Sequence, residues 1–295
     1  MRIWLMAARP RTLPAAIAPV LVGTAAAIEE VEELPRVGAF IAALIGSIFI
    51  QIGTNLANDY SDAKRGADTV ARLGPVRVTA AGLVAPRSVL IATWLAFGIA
   101  VAAGIYLATV AGWVIIAVGA ASIAAGVLYT GGPRPYGYAG LGELFVFLFF
   151  GLVAVNGSYY VQLERLDWLP FALSVSIGCL ATAILVVNNI RDMDTDRRAG
   201  KRTLAVRVGR KPTRAVFIGL LLVGFFVGWG ALIATDAPWW SGLLVAVVWV
   251  LLSRAPSQAV AKRTDGPSLN KALAQTGALL GAFSLALSAG LLAAA

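Results

Sequence analysis

The chain has 295 residues, of which 59% are hydrophobic and 13% are charged, and its mean hydropathy is +0.81. A soluble domain of this length does not need so much apolar sequence, so the composition predicts a membrane protein. The chain has no histidine and one cysteine, which excludes a Ser-His triad, the usual histidine zinc site and an intrachain disulfide. The formal net charge of +9 then needs its own explanation.

Apolar segments near the ~20 residues that a spanning helix needs recur along the whole chain. We predict nine spans, which cover residues 12–28, 38–58, 88–109, 112–130, 137–161, 168–190, 214–235, 237–254 and 272–293. Only a short break at Ala111 and Gly112 separates the third span from the fourth. The predicted fold class is therefore an all-α polytopic membrane protein, with one transmembrane domain over residues 1–295.

The distribution of Lys and Arg predicts the orientation. If the N-terminus is cytoplasmic and all nine segments span, every Lys and Arg except Arg36 and Arg165 lies on the cytoplasmic side. This asymmetry is typical of the positive-inside rule and explains most of the net charge. The C-terminus is then outside, in a cell membrane. No basic repeat with interleaved aromatic residues indicates nucleic-acid binding.

Two polar stretches stand at the cytoplasmic ends of predicted spans. The second span ends in QIGTNLANDYSDAKRGAD, from Gln51 to Asp68, and the sixth leads into NNIRDMDTDRRAGKRTLAVRVG, from Asn188 to Gly209. On helices, the polar residues of each stretch share one face. The spacing of Asn58, Asp62 and Gly66 recurs in Asp192, Asp196 and Gly200, which indicates a weak internal repeat.

Carboxylates four residues apart beside a basic cluster are suited to binding Mg²⁺ and a diphosphate. Mg²⁺ prefers oxygen ligands and keeps several waters, so a few side-chain oxygens and substrate phosphate suffice. We predict one site between the two helix ends, with Asp59, Asp62, Asp192 and Asp196 as catalytic residues. The predicted metal ligands are Asn55, Asn58, Asp59, Asp62, Asp68, Asn189, Asp192 and Asp196. The alternative is that these side chains are solvated caps of cytoplasmic loops.

The cations beside the carboxylates are candidates for binding the diphosphate, because guanidinium groups bind phosphate in bidentate fashion. The predicted set is Arg9, Arg11, Lys64, Arg65, Arg134, Arg191, Lys201 and Arg202. The alternative is a plain topology signal with lipid headgroup contact, which we favour for Arg207, Arg210, Lys211, Lys262 and Arg263.

Together these motifs resemble the UbiA superfamily of intramembrane aromatic prenyltransferases over nearly the whole chain. The resemblance rests on RPRTLP from Arg9, on NLANDYSD from Asn55 and on GPVRVT from Gly74. It rests further on YTGGPRPYGY from Tyr129 and on NNIRDMDTD from Asn188. Members that act on benzoates usually carry another Asp four residues past the position of Asp62, where this chain has Gly66. That departure favours the naphthoate branch.

The resemblance implies a nine-helix bundle around a central cavity, with Mg²⁺ as cofactor and polyprenyl diphosphate as donor. The acceptor implied by the naphthoate branch is 1,4-dihydroxy-2-naphthoate, whose prenylation releases diphosphate and CO₂. Because decarboxylation restores aromaticity, no strong base is needed for a ring proton, which agrees with a chain lacking histidine. The polyprenyl tail then lies in the apolar bundle and membrane lipid.

Acceptor contacts are less well marked in the sequence. Glu143 lies about two turns into the fifth predicted span, where a carboxylate is costly and indicates a role. Tyr129 and Tyr136 border the central cytoplasmic loop. We predict that these three residues contact the acceptor. The alternatives are a structural ion pair or hydrogen bond for the glutamate and an interfacial aromatic belt for the tyrosines.

Three other functions remain as alternatives at this stage. A secondary transporter is also a polytopic bundle, but transporters tend to place polar sites near the midplane rather than in Asp motifs at one face. The same fold acting on another acceptor is the second alternative. A CDP-alcohol phosphotransferase also has paired Asp motifs, but its Asp-Gly-x-x-Ala-Arg opening is missing from this chain.

Overall fold

A computed structural model describes residues 2–33, 35–67 and 73–295. These residues form helices and connecting loops and contain no β-strand, which confirms the predicted all-α class. The first helices are α1 (Arg2–Ala8), α2 (Pro14–Val31), α3 (Val37–Lys64), α4 (Pro86–Ala111) and α5 (Val114–Leu128). The later ones are α6 (Gly142–Leu163), α7 (Trp168–Arg198), α8 (Leu204–Val208), α9 (Arg210–Ile233), α10 (Trp239–Lys262) and α11 (Gly266–Leu292).

Each of the nine predicted spans coincides with one of these helices. In the described part of the chain, eight helices are long and apolar enough to cross a membrane, and the chain is therefore a multi-pass membrane protein. The exception is α5, at the position of the fourth predicted span, which has 15 residues and a length of only ~22 Å. Nine membrane crossings therefore remain a prediction.

Local sequence signals set several helix starts. Pro14 and Pro86 each occupy the first position of a helix, where a missing N–H costs nothing. The side chain of Asp265 accepts a hydrogen bond from the backbone N–H of Ser268 at 2.8 Å and so caps α11. This bond also lowers the pKa of Asp265 below its usual range.

The two helices that carry the Asp motifs end in the same way. Gly66 and Gly200, just past α3 and α7, have φ angles of 65° and 75°. The Asp62 carbonyl accepts a hydrogen bond from Ala67 N–H at 3.0 Å, and the Asp196 carbonyl accepts one from Lys201 N–H at 2.8 Å. This five-residue spacing with a left-handed glycine is the Schellman motif. The repeat noted in the sequence is thus also present in the backbone.

Helix α7 lies at the centre of the bundle. It packs against α2, α6, α9 and α11, and its apolar stretch is the most deeply buried of the candidate spans. Close approach depends on small residues, as is common between membrane helices. A Cβ added to Gly151 of α6 would lie 2.6 Å from the Cα of Gly178 in α7. The contact with α6 therefore requires glycine at both positions.

The two cations predicted to lie outside are both paired with acids at the end of the bundle opposite the Asp motifs. Arg36 forms an ion pair with Glu164 at 2.5 Å, and its backbone N–H donates to Gln162 at 3.0 Å. Arg165 forms an ion pair with Glu30. Both charges are therefore neutralised by local acidic partners.

Candidate active site

A cavity of about 350 Å³ lies among α2 to α7 and extends to the end of the bundle that carries the Asp motifs. Both motifs contribute to its polar wall, through Asn58 and Asp62 of α3 and through Asn189, Asp192 and Asp196 of α7. Small and aliphatic side chains line the deeper part, among them Val20, Ala43, Gly104, Leu107 and Ile115. The structure therefore brings together the two stretches that the sequence indicated, above an apolar chamber.

Asp62 is the centre of the polar wall. It is 1% exposed, and one carboxylate oxygen accepts a hydrogen bond from the Tyr138 hydroxyl at 2.6 Å. The other oxygen lies 3.2 Å from both Arg77 and Lys201. The Lys201 ammonium also lies 4.6 Å from the centroid of the Tyr138 ring, within the range of a cation–π contact. Three loops at this end of the bundle thus converge on one carboxylate.

Asp192 is held from within the same helix. Arg191 donates to both of its carboxylate oxygens, at 2.8 and 2.6 Å, and is itself 2% exposed. The remaining guanidinium hydrogens are directed to Asn188 at 2.6 Å and to Asn270 of α11 at 2.8 Å. Arg191 was predicted to bind diphosphate. The structure instead places it behind the cavity wall, where it fixes the orientation of Asp192.

Two of the predicted amide ligands also have fixed orientations. The Asn58 side-chain oxygen accepts a hydrogen bond from the Thr130 hydroxyl at 2.9 Å. The Asn189 side-chain NH₂ donates to Glu143 at 2.8 Å, which leaves its oxygen available toward the cavity that it lines. Glu143 does not itself line the cavity, so its effect on a bound molecule passes through Asn189.

The N-terminal segment is bound to α3 through Thr12. The Thr12 hydroxyl donates to the Arg9 carbonyl at 3.0 Å and accepts from the side chains of Gln51 at 3.1 Å and Asn55 at 3.2 Å. Asn55 also donates to the Ala8 carbonyl at 3.0 Å. Arg9 lines the cavity and has a φ angle of 55°, which is uncommon for a residue other than glycine and is held by this network.

Asp59 differs from its prediction as a catalytic metal ligand. It is 2% exposed and does not line the cavity. Its two oxygens accept hydrogen bonds from the backbone N–H groups of Val78 and Thr79, at 3.0 and 2.9 Å. The structure therefore assigns Asp59 to holding the loop that carries Arg77, and not to the cavity wall.

We expect Asp59→Asn to weaken binding of the diphosphate substrate while leaving the chemical step nearly intact. An Asn oxygen can replace one acceptor, but its NH₂ leaves one buried backbone N–H without a partner, so the position of Arg77 loosens. A penalty of this kind corresponds to a rise of about five- to tenfold in KM for polyprenyl diphosphate. Steady-state kinetics test this, and a hundredfold loss of kcat at constant KM would make Asp59 a catalytic ligand after all.

The other predicted residues fall into three groups. Arg9, Lys201, Tyr129 and Tyr136 line the cavity. Arg65 lies at its rim, where it donates to the Gly132 carbonyl and stands 5.8 Å from the centroid of the Tyr138 ring. The remaining cations are exposed side chains that do not line the cavity, namely Arg11, Lys64, Arg134 and Arg202. Asp68 lies outside the described residues.

Arg77 and Thr203 line the cavity but were missing from the predicted set of ligands. Arg77 is 8% exposed and faces Asp62, although it comes from the loop after α3 and not from a helical stripe. Thr203 is 6% exposed, and its hydroxyl has no hydrogen-bond partner among the described residues. A signal for Arg77 was present, because GPVRVT follows the first Asp motif in the resemblance noted above.

Helix α6 contains a π-helical segment, Phe147–Val153, between α-helical turns at Gly142–Val146 and Ala154–Leu163. Its lining residues recur every four positions, mostly as adjacent pairs: Phe145 and Val146, Phe149 and Phe150, Val153 and Ala154, Gly157 and Ser158, and Val161. At 3.6 residues per turn, an unbroken α-helix would carry the last of these ~160° away from the first. The wider turn of the π segment corrects this drift, so one face of α6 follows the cavity along its whole depth.

Tyr129 and Tyr136 lie at the cavity mouth with their hydroxyls protonated. Burial raises the pKa of Tyr129 well above its usual value of 10, and the nearby carboxylate of Glu143 adds to this effect. Burial likewise raises the pKa of Tyr136. The Tyr136 hydroxyl donates to the Ala125 carbonyl at 2.9 Å, so its ring has a fixed position.

The donor set of the polar wall fits Mg²⁺. All candidate ligands are oxygens of carboxylates or amides, which this cation prefers. Among the described residues, no group of three carboxylates is close enough to hold a metal by itself. Mg²⁺ commonly binds through only one or two protein carboxylates and completes its shell with phosphate and water.

Comparison with known proteins identifies the family. The UbiA prenyltransferase family profile matches residues 16–274. The chain is 44% identical to the 1,4-dihydroxy-2-naphthoate octaprenyltransferase of Mycobacterium tuberculosis, over 98% of this chain and 96% of that one. It is 40% identical to the enzyme of the same name from Escherichia coli, over 74% and 72% of the two chains.

Solved structures agree in fold. A UbiA homolog from Aeropyrum pernix K1, solved without ligand, superposes with a TM-score of 0.67 at 16% identity, over 98% of both chains. A UbiA homolog from Archaeoglobus fulgidus, bound to DMAPP and Mg²⁺, gives a TM-score of 0.64 at 13% identity, over 97% of this chain and 99% of that one. From the family match, the curated relatives and the shared fold, the chain belongs to the UbiA prenyltransferase family.

Proposed function

We propose that this protein transfers a polyprenyl group from polyprenyl diphosphate to 1,4-dihydroxy-2-naphthoate, with loss of CO₂ and diphosphate, to give demethylmenaquinol. The observation that carries the proposal is the 44% identity, over nearly the full length of both chains, to an enzyme named for that acceptor. The arrangement of the site supports it, because a polar wall of oxygens and cations stands above an apolar chamber. Such a site suits a substrate with a diphosphate head and a hydrocarbon tail.

The candidates to hold Mg²⁺ are Asp62, Asp192 and Asp196, together with the amide oxygens of Asn58 and Asn189, all of which line the cavity. One or two of these carboxylates would bind the metal directly, and phosphate and water would complete its shell. When bound, the metal neutralises charge on the diphosphate and so makes it a better leaving group. Binding of Mg²⁺ by a UbiA homolog from Archaeoglobus fulgidus supports this choice of cofactor.

The basic side chains bind and neutralise the diphosphate. Lys201 and Arg77 already lie 3.2 Å from Asp62, so a phosphate beside that carboxylate is within reach of both cations. Arg9 lines the same cavity, and the unpartnered Thr203 hydroxyl can donate a further hydrogen bond. These groups favour departure of diphosphate with the electrons of the C–O bond, because negative charge grows on the leaving group at that step.

The allyl cation left behind reacts with the electron-rich naphthoate ring. The ring carbon that bears the carboxylate forms the new C–C bond, and the C–CO₂ bond then breaks and returns its electrons to the ring. No ring proton has to be removed in this sequence. The chemical step therefore needs no histidine. The protein has to position the ring and keep water out of the chamber.

We further propose that the protein forms one domain in the cell membrane, with its N-terminus and Asp motifs in the cytoplasm and its C-terminus outside. The charge asymmetry supports this orientation. In the structure, α1 and the Thr12 network lie beside the first Asp motif, so the N-terminal segment and the site share one end of the bundle. The proposal is tested by introducing single cysteines into a background in which the native Cys179 is replaced by Asn or Ala. The reaction of each cysteine with a membrane-impermeant thiol reagent then shows on which side of the membrane it lies.

The activity itself is tested with purified protein in detergent. Polyprenyl diphosphate, 1,4-dihydroxy-2-naphthoate and Mg²⁺ are supplied, and prenylated naphthol, diphosphate and CO₂ are followed together. We expect equal amounts of all three products and complete loss with EDTA. Prenylation of 4-hydroxybenzoate in place of the naphthoate would keep the family assignment and overturn the acceptor. No transfer to any acceptor would favour a transport function.

A further inference from the structure

The cavity has two chemically different walls. All six aromatic side chains that line it in the described part of the chain fall between residues 129 and 150, namely Tyr129, Tyr136, Tyr138, Phe145, Phe149 and Phe150. The facing wall, from α2, α3 and α4, presents small and aliphatic side chains such as Val20, Ala43, Gly104 and Leu107. A polyprenyl chain and a planar aromatic acid differ in the same way, so the two walls suit the two substrates.

Three of these rings form a continuous strip with a common orientation. Tyr136 and Phe145 stack with centroids 4.0 Å apart and 23° between their planes, and Phe145 and Phe149 follow at 6.1 Å and 22°. Tyr129 meets Tyr136 edge to face at 5.4 Å. Rings stacked in this way cover one another's faces and leave their edges to line the cavity, and the face of a planar aromatic molecule packs favourably against ring edges.

The strip is held rigidly at both ends. At the mouth, the Tyr136 hydroxyl donates to the Ala125 carbonyl at 2.9 Å. In the chamber, the π-helical segment places Phe149 on the cavity side of α6, and the close contact of Gly151 with Gly178 in α7 fixes that segment. A preordered surface loses little conformational freedom when it binds a ligand, which favours binding.

Polar groups that match a hydroxylated aromatic acid stand at the upper end of the strip. The protonated Tyr129 hydroxyl and the Asn189 amide, which is oriented by Glu143, lie at the cavity mouth. The cations Arg9 and Lys201 line the same region and complement a carboxylate. A hydrocarbon tail cannot form hydrogen bonds or ion pairs with these groups. A planar ring with polar substituents can contact both these groups and the strip.

We propose that the strip formed by Tyr136, Phe145 and Phe149 binds the ring system of the acceptor, and that Phe149 selects a fused two-ring acceptor over a single ring. This inference rests on the proposed function. Tyr136 and Phe145 lie near the mouth, beside the polar groups that bind the substituted ring. Phe149 lies one turn of α6 deeper and packs against the second, unsubstituted ring, which a monocyclic acid lacks.

The test compares the binding of two probe molecules that carry the same polar substituents. 1-Hydroxy-2-naphthoate and 2-hydroxybenzoate carry the same adjacent hydroxyl and carboxylate and differ by one fused ring. Their dissociation constants are measured by equilibrium dialysis with the detergent-purified protein, and the KM for polyprenyl diphosphate is measured in parallel. The variants are Phe149→Leu, which keeps apolar volume but removes the aromatic ring, and Phe149→Tyr, which keeps the ring. Phe226→Leu is the control, at a position 59% exposed on α9.

We expect Phe149→Leu to raise the dissociation constant of 1-hydroxy-2-naphthoate about five- to tenfold, in line with the loss of an aromatic contact. The dissociation constant of 2-hydroxybenzoate should change less than about twofold. For Phe149→Tyr and Phe226→Leu, the dissociation constants of both probes should stay near those of the wild type. Unchanged binding of both probes by Phe149→Leu overturns the proposal. Equal weakening of both probes overturns the selective role of Phe149, and a raised KM for polyprenyl diphosphate alone assigns the strip to the donor tail.

The proposed function can fail separately from this inference. If wild-type protein does not turn over 1,4-dihydroxy-2-naphthoate but the probes respond to Phe149→Leu as expected, the strip binds a fused ring and the named reaction is wrong. If the wild type turns over the naphthoate and the probes do not respond, the reaction stands and the strip has another role.

Discussion

Replacing Asp62 by Ala is expected to lower kcat/KM for prenyl transfer by about 10²–10³-fold or more, while the protein still inserts in the membrane. The variant removes a predicted Mg²⁺ ligand, and it also removes the carboxylate that now positions Arg77, Lys201 and Tyr138. The three loops that carry these residues thereby lose their common partner. The apolar part of α3 is unchanged, so membrane insertion is not affected.

The measurement is the transfer rate at saturating Mg²⁺, with membrane fractionation as the check on insertion. Asp62→Asn separates charge from shape, because Asn keeps the acceptor for Tyr138 but not the negative charge between two cations. The matched control is Asp194→Ala. Asp194 lies between Asp192 and Asp196, but its side chain is 62% exposed and pairs with Arg210. We expect less than a twofold change for the control. Activity above about a tenth of wild type in Asp62→Ala would contradict a site built on both motifs.

Replacing Asp192 by Ala is expected to abolish transfer and also to destabilise the protein. The Arg191 side chain is 1% exposed, and its charge would remain buried without its bidentate partner. Breaking a buried ion pair from one side costs roughly 3–5 kcal/mol, whereas replacing both members by apolar residues is often neutral. Stability and activity should therefore separate in a double variant.

The experiment compares Asp192→Ala, Arg191→Met and the double variant Arg191→Met with Asp192→Leu. Thermal unfolding in detergent reports stability, and product formation reports activity. We expect both single variants to unfold at lower temperature and the double variant to return toward wild type, with no transfer by Asp192→Ala or the double variant. Recovery of activity in the double variant would show that Asp192 acts on the fold alone and is not a ligand.

The sequence predicted those parts of the site that follow from regular helix geometry. Asp62, Asp192 and Asp196 recur at helical spacing at the ends of apolar spans, so their common direction could be derived locally. The nine helix positions followed from apolar length in the same way. The matching glycines, Gly66 and Gly200, were visible in the sequence because they follow the Asp motifs at the same distance.

Residues whose partners lie on irregular segments could not be placed in this way. Asp59 lies next to Asn58 on the helical stripe, and only the path of the following loop directs it toward Val78 and Thr79. Arg191 was expected to bind phosphate because it lies beside the carboxylates of the second Asp motif and guanidinium groups bind phosphate. Its long side chain nevertheless folds back onto Asp192, since Asn188 and Asn270 hold the far side of the guanidinium.

The π-helical segment was equally invisible in the sequence. FVFLFFGLVAV is apolar at every position, so it shows no polar stripe from which a period of four rather than 3.6 could be read. The signal was present only as glycines, since Gly151 meets Gly178 where the widened turn packs against α7. Phe145 and Phe149 were therefore absent from the predicted acceptor contacts, although Tyr136 was included.

The shortness of α5 has a consequence for the surrounding bilayer. If this helix crosses the membrane, its 15 residues cover ~22 Å of a hydrocarbon layer that is ~30 Å thick. Hydrophobic mismatch of this size is relieved by local thinning, which costs a fraction of a kcal/mol per Å. Lipids with short acyl chains should collect along this face of the protein. Because α5 also forms part of the chamber wall, bilayer thickness acts directly on the helix that borders the polyprenyl tail.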